Sequence, residues 1–131
     1  MTNNFLLDSY AWIEYFLASS MGNKVRAIVE NPDNVCYTSV LSITEVVIKL
    51  KKLDLNWESA VSTMKSLATP LEIDDIIAVE SALLYIEKRK IHKDIGVVDV
   101  IIMIQARRNN LIVVTGDADH FKNEKNVRLL K

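Results

Sequence analysis

LIVVTGD, residues 111–117, decides the fold class. Its first four residues are continuously apolar, the pattern of a strand covered on both faces rather than one alternating between core and water. A Gly and an Asp then follow at the point where such a strand would leave its sheet. Working outward, short runs rich in Val, Ile, Leu and Thr at 5–7, 35–38, 71–73 and 127–130 read as further strands, and 111–115 completes the set. The segments 9–19, 22–31, 41–53, 57–67, 75–90 and 97–109 repeat apolar residues at helical spacing, as in Ile43, Val47 and Leu50 or Val79, Leu83 and Ile86. Strands alternating with helices predict an α/β fold with a mostly parallel sheet of about five strands between two helical layers, a three-layer α/β/α domain.

The 131 residues suit one domain spanning 1–131, and a chain of this length buries roughly two-thirds of the surface it would expose unfolded. Half the residues are apolar and a quarter charged, an ordinary globular balance that argues against disorder. Neither an internal repeat nor a long linker marks a second unit. The apolar stretch 97–104 is interrupted by Asp99 and falls well short of the roughly 20 residues that cross a bilayer, so no membrane span is expected. The start, MTNNFLLDS, lacks a basic region followed by a long apolar segment, and export is not expected either. Cys36, the single cysteine, lies in the apolar run VCYT and reads as a buried structural thiol. A cytosolic location follows as the expectation.

Sixteen basic and 17 acidic residues leave a net charge of −1, and no basic tail advertises nucleic acid. The acids are nevertheless distributed in a telling way. Asp8 ends the first apolar run, FLLDS, and Asp117 follows the fourth strand. Glu45 and Asp99 sit early on helices, in SITEVV and GVVDVII, that can border the same sheet edge. Each has a plainer explanation when taken alone. Asp8 suits a helix N-cap. Glu45 could pair with Lys49 four residues on. Asp99 could face the positive end of its helix dipole after Gly96. Asp117 and Asp119 are common turn residues.

Capping does not predict that all four acids share one edge, and clustered carboxylates repel unless a cation joins them. An all-oxygen donor set suits Mg²⁺ or Mn²⁺, whereas the lack of His and Cys clusters disfavours zinc. If the four acids are neutralised by an ion, the remaining surface carries an excess of positive charge, which admits a polyanionic substrate. Asp117 is read as a ligand of the ion or its water, with Thr115 and Asp119 as outer supporting groups. His92 and His120 have no metal-binding spacing and read as surface or packing residues. No phosphate-cradling loop can be built from Gly22, Gly96 and Gly116. Trp12 and Phe16, four apart, are expected to pack inward, with Tyr15 nearer the rim.

The segments LLDSYAWIEYF, TSVLSITEV, VVDVIIMIQAR and LIVVTGDADHF, in this order and spacing, make the chain resemble PIN-domain proteins, and among them the VapC-type ribonuclease toxins of toxin–antitoxin pairs. The resemblance covers nearly the whole chain. It implies that Asp8, Glu45, Asp99 and Asp117 form a Mg²⁺ or Mn²⁺ site with Ser9 and Thr115 as polar support. It also implies RNA as substrate, a homodimer, and an antitoxin segment lying across the active-site groove. Two departures accompany it. A second acid, Asp119, stands beside Asp117, and the helix after Asp99 is bulkier than is usual in the family.

Metal-activated hydrolysis of RNA is therefore the expected activity. A non-catalytic PIN-like assembly module is the alternative, and would not depend on Asp8 or Asp99 for ion affinity. A phosphoacceptor signalling domain fits poorly, since it needs adjacent acids after its first strand and here Asp8 stands alone.

Overall fold

A computed structural model describes residues 3–131. Strands β1 (Asn3–Leu7), β2 (Asn34–Ser39), β3 (Thr69–Leu71), β4 (Ile112–Thr115) and β5 (Val127–Leu129) form one sheet in the order β3-β2-β1-β4-β5, with every pairing parallel. Helices α1 (Ser9–Phe16), α2 (Ser20–Val29), α3 (Val40–Lys52) and α4 (Trp57–Leu67) contribute to the core on one face of the sheet. Helices α5 (Asp75–Arg89) and α6 (Val97–Asn109) pack on the other, with the single turn α7 (Ala118–Phe121) beside them. This is the three-layer α/β/α arrangement.

Side chains of a strand point alternately to opposite faces, and the central strands supply both cores in that way. Phe5 and Leu7 join the α1–α4 side, while Leu6 between them joins the α5–α6 side. Val114 and Val113 divide likewise, which is why the run 111–114 carries no polar residue. Trp12 of α1 is fully buried and stacks on Phe16, and its indole N–H donates to Thr38 Oγ1 of β2 at 3.0 Å. A buried indole thereby gains the partner it requires.

The chain runs outward from β1 through β2 to β3, then returns to lay β4 on the other side of β1. The connections thus diverge at the carboxyl ends of β1 and β4, the position where open α/β sheets form ligand crevices. Asp8 N–H donates to Val114 O at 3.1 Å and Leu130 N–H to Thr115 O at 2.8 Å, tying this edge together.

Three local outcomes differ from the sequence reading. The third strand is Thr69–Leu71 rather than 71–73. Pro70 is tolerated because β3 is an edge strand, and beyond it Gln105 Nε2 takes the carbonyls of Leu71 and Glu72, which ends the strand. The helix expected over 9–19 stops at Phe16, where Ala18 enters the left-handed region at φ 53° and Ser19 caps α2. On α5 the apolar stripe that announces the helix is not the face that packs. Ile76, Val79, Leu83 and Ile86 are 51–67% exposed, whereas Ile77, Ser81 and Lys88 are buried.

Candidate metal centre

Asp8 leaves β1 in extended conformation and caps α1, its Oδ1 accepting from Ala11 N–H at 2.8 Å. The capping explanation is correct but incomplete. Asp8 is only 3% exposed, and burial pushes its carboxyl up from 3.8 to about 7. The Thr115 hydroxyl and the Ala11 amide oppose that rise, while the charges of Asp99 and Asp117 add to it. A carboxylate kept here with neighbouring carboxylates is costly unless a cation accompanies it.

Asp99 stands in the first turn of α6 and accepts from Gly96 N–H at 3.3 Å. Its carboxyl is also raised, first by burial and then by Asp117 and Glu45, with the Gly96 hydrogen bond opposing. Asp117 follows β4 and uses Oδ1 to accept from His120 N–H at 3.0 Å, starting α7. Thr115, fully buried, accepts from Asp117 N–H at 2.9 Å and so fixes the turn that delivers the acid. Glu45 lies on α3 and is engaged by Ser9 rather than by Lys49. Ser42 Oγ is 3.0 Å from Ser9 Oγ, so with Ser9's one proton directed to Glu45 the Ser42 hydroxyl can donate to Ser9.

The acids thus come from the end of β1, from α3, from α6 and from the turn after β4. Asp8 feels the charges of Asp99 and Asp117, and Asp99 those of Asp117 and Glu45, while of the four only Asp99 and Asp117 belong to a donor group tight enough for one ion. Asp119 is turned elsewhere, its Oδ2 lying 3.6 Å from His92 Nδ1.

His120, read from sequence as a surface or packing residue, belongs to this cluster. Its Nδ1 is 2.6 Å from Asp117 Oδ2, and its Nε2 is 2.9 Å from Asp94 Oδ1. The imidazole is therefore raised above its ordinary pKa, chiefly by the Asp94 hydrogen bond, with the Asp117 charge adding to it. Donor atoms of Asp99, Asp117 and His120 all fall within 4.8 Å of one another. An ion with bonds of about 2.1 Å spans ~4.2 Å between opposite ligands, so these three fit a divalent cation after slight contraction. A His directly before the buried Phe121 was the only hint in the sequence, since its partner Asp94 comes from the loop after α5.

A profile of the PIN domain matches residues 5–126. The chain belongs to the PIN-domain family. Among solved structures, this PIN domain is similar to a chain of a toxin–antitoxin complex from Klebsiella pneumoniae, with 21% identity, TM-score 0.76, and 96% and 97% of the two chains covered. It is also similar to VapC20 of Mycobacterium tuberculosis, a sarcin–ricin loop cleaving toxin, with 12% identity, TM-score 0.75, and 95% and 98% covered. A third is VapBC2 of Rickettsia felis bound to a DNA fragment of its promoter, with 17% identity, TM-score 0.71 and 96% of both chains covered. No curated protein sequence matches the chain. At these identities the structures establish a shared fold, that of VapC-type chains. Among the described residues, no helix is long and apolar enough to cross a membrane.

Proposed function

We propose that this PIN domain is a cytosolic, Mg²⁺- or Mn²⁺-dependent endoribonuclease of the VapC type. What supports the reading is that Asp8 feels the charges of Asp99 and Asp117, and Asp99 those of Asp117 and Glu45, with burial raising Asp8 and Asp99 so that both gain from a cation. When bound, a divalent ion supplies Lewis-acid polarisation of the phosphate and a lowered pKa for the attacking water. Asp8, Asp99 and Asp117 hold the ion. Glu45, oriented by Ser9, directs or deprotonates the water. Tyr10, 41% exposed beside Gly116, offers a ring on which an unpaired base can stack at the rim. VapC20 is named as a cleaver of the sarcin–ricin loop, and structured RNA is accordingly the first substrate to try.

The test is cleavage of a pool of structured and single-stranded RNA by the purified chain in Mg²⁺, Mn²⁺ or EDTA. Cleavage that needs metal and is lost in Asp99→Asn supports the assignment. Glu45→Gln should lose less than Asp99→Asn, because an orienting group is easier to replace than a ligand. Equal losses would move Glu45 into direct coordination, and no cleavage in any metal by folded, antitoxin-free protein would favour the assembly module.

Two surfaces support the partners. A groove of about 360 Å³ where α1, α2, α3 and α4 meet is walled by Tyr15, Phe16, Leu50 and Leu55 with Arg26 beside them; none of the four acids lines it, so it suits an apolar stripe of an antitoxin outside the part that crosses the active-site groove. The outward face of α5 repeats Ile76, Val79, Leu83 and Ile86 at the spacing of a helix-pairing seam and suits a second copy. The double variant Leu83→Glu, Ile86→Glu is expected to run as a folded monomer in sedimentation where the wild type is a dimer. A dimer that survives both charges would locate self-association elsewhere.

A further inference from the structure

We propose that His120 is itself a ligand of the ion, through Nδ1, with Asp94 as the carboxylate that orients it, so that the centre is a mixed nitrogen and oxygen site preferring Mn²⁺ to Mg²⁺. The inference rests on the metal-dependent reading above and goes beyond its four acids.

The ring's two nitrogens are in different situations. Nε2 has a well-placed partner in Asp94 Oδ1 at 2.9 Å. Nδ1 is buried and faces Asp117 Oδ2 at 2.6 Å. A histidine that donates one ring N–H to a carboxylate is fixed in orientation, and its other nitrogen, once an ion has displaced its proton, is the ligand, the usual arrangement behind a metal-bound imidazole. Here that nitrogen faces Asp117 and Asp99, within the 4.8 Å group.

The ring is also held in place. Phe121, the next residue, is buried in the core beside α6 and anchors the α7 turn. The His92 ring packs edge-on against His120 with centroids 5.6 Å apart. Asp117 Oδ1 accepts the His120 backbone N–H at 3.0 Å, so ligand and ligand share one turn. Two ligands of one octahedral ion lie roughly 3 Å apart when adjacent, and a change of a few tenths of an ångström in the Nδ1 to Asp117 spacing would suffice.

The chemical consequence is selectivity. Mg²⁺ demands oxygen donors and retains its waters, whereas imidazole nitrogen suits first-row transition ions, and Mn²⁺ accepts carboxylate and imidazole together.

The experiment is pulsed electron paramagnetic resonance on the full chain with less than one equivalent of Mn²⁺. The expected result is nitrogen-14 modulation from a directly bound imidazole in the wild type, absent in His120→Gln. Titration of the free-ion signal should show the preference for Mn²⁺ over Mg²⁺ falling about tenfold in that variant. Asp94→Asn should keep the modulation but bind Mn²⁺ about tenfold more weakly. Mn²⁺ that binds without nitrogen coupling, coupling that survives in His120→Gln, or failure of the wild type to bind Mn²⁺ would each overturn the proposal. A wild-type spectrum without nitrogen coupling overturns the proposal even if a variant misfolds. RNA cleavage run in parallel separates the two claims. Metal- and Asp99-dependent cleavage without nitrogen coupling leaves the nuclease standing and removes His120 as a ligand, whereas coupling without cleavage supports His120 and removes the ribonuclease.

Discussion

Asp8→Asn is expected to lower metal-dependent RNA cleavage by at least about tenfold and, in EDTA at pH 8, to make the folded protein more stable than the wild type. The two effects share a cause. Burial raises the Asp8 carboxyl from 3.8 to about 7. Between those values the folded chain holds a proton that the unfolded chain has released, so stability falls as pH rises through the interval. About three pH units at 1.36 kcal/mol each put the loss at ~4 kcal/mol once pH exceeds 7. Asparagine has nearly the shape of the protonated acid and can still accept from Ala11 N–H, so it keeps the cap without the charge. In chemical denaturation the gap between variant and wild type should be close to zero near pH 4 and widen toward pH 8. Divalent ion added to the wild type should narrow it again, because binding to the folded form stabilises by mass action. A variant less stable than wild type at pH 8 in EDTA, or one that is folded and fully active, would contradict this account.

What the sequence discloses about the centre follows from which relations are local. Asp8 and Asp117 each follow an apolar strand, and a run such as FLL or LIVV identifies its strand with little help from the rest of the chain. Asp99 is conspicuous because its neighbours are Val98, Val100 and Ile101. His120 carries no such signal. Its significance depends on Asp94, 26 residues away, and on His92, both brought in by the loop after α5. The third strand is misplaced for a similar reason. Pro70 reads as a breaker until it is known that β3 is an edge with a single strand neighbour, and Ile73 reads as strand until Gln105 claims the carbonyls before it. The outward stripe of α5 carries the same lesson. Val79, Leu83 and Ile86 announce a helix correctly, but periodicity does not say whether the apolar face meets the sheet or another chain.

Gly22→Ala should be the most damaging of the glycine-to-alanine changes in this protein. A Cβ at Gly22 would stand 2.0 Å from Glu14 O, 2.7 Å from Glu14 C and 3.2 Å from Tyr15 Cα. All three are backbone atoms of α1, so no side chain can rotate away, and α2 must move off α1. Inserting a methyl into a closed contact costs typically 1–3 kcal/mol and more when backbone must shift, so a loss of ~3 kcal/mol and roughly 10 °C in Tm is expected. Gly116→Ala offers the control. Its Cβ would come within 2.2 Å of a Tyr10 ring carbon, but that ring is on the surface and can swing aside, so the melt should fall by less than half as much. The functional consequences should run the other way. Gly22 lies in α2, which carries none of the four acids, and the folded fraction of Gly22→Ala should still bind Mn²⁺. Gly116 sits between Thr115 and Asp117, and displacing Tyr10 there disturbs the rim of the centre. If Gly22→Ala melts with the wild type, the close approach of α1 to α2 is softer than these distances imply. If it folds but no longer binds Mn²⁺, the α1–α2 contact reaches the centre through Ser9 and Glu45, and α1 rather than the sheet edge alone sets the position of the acids.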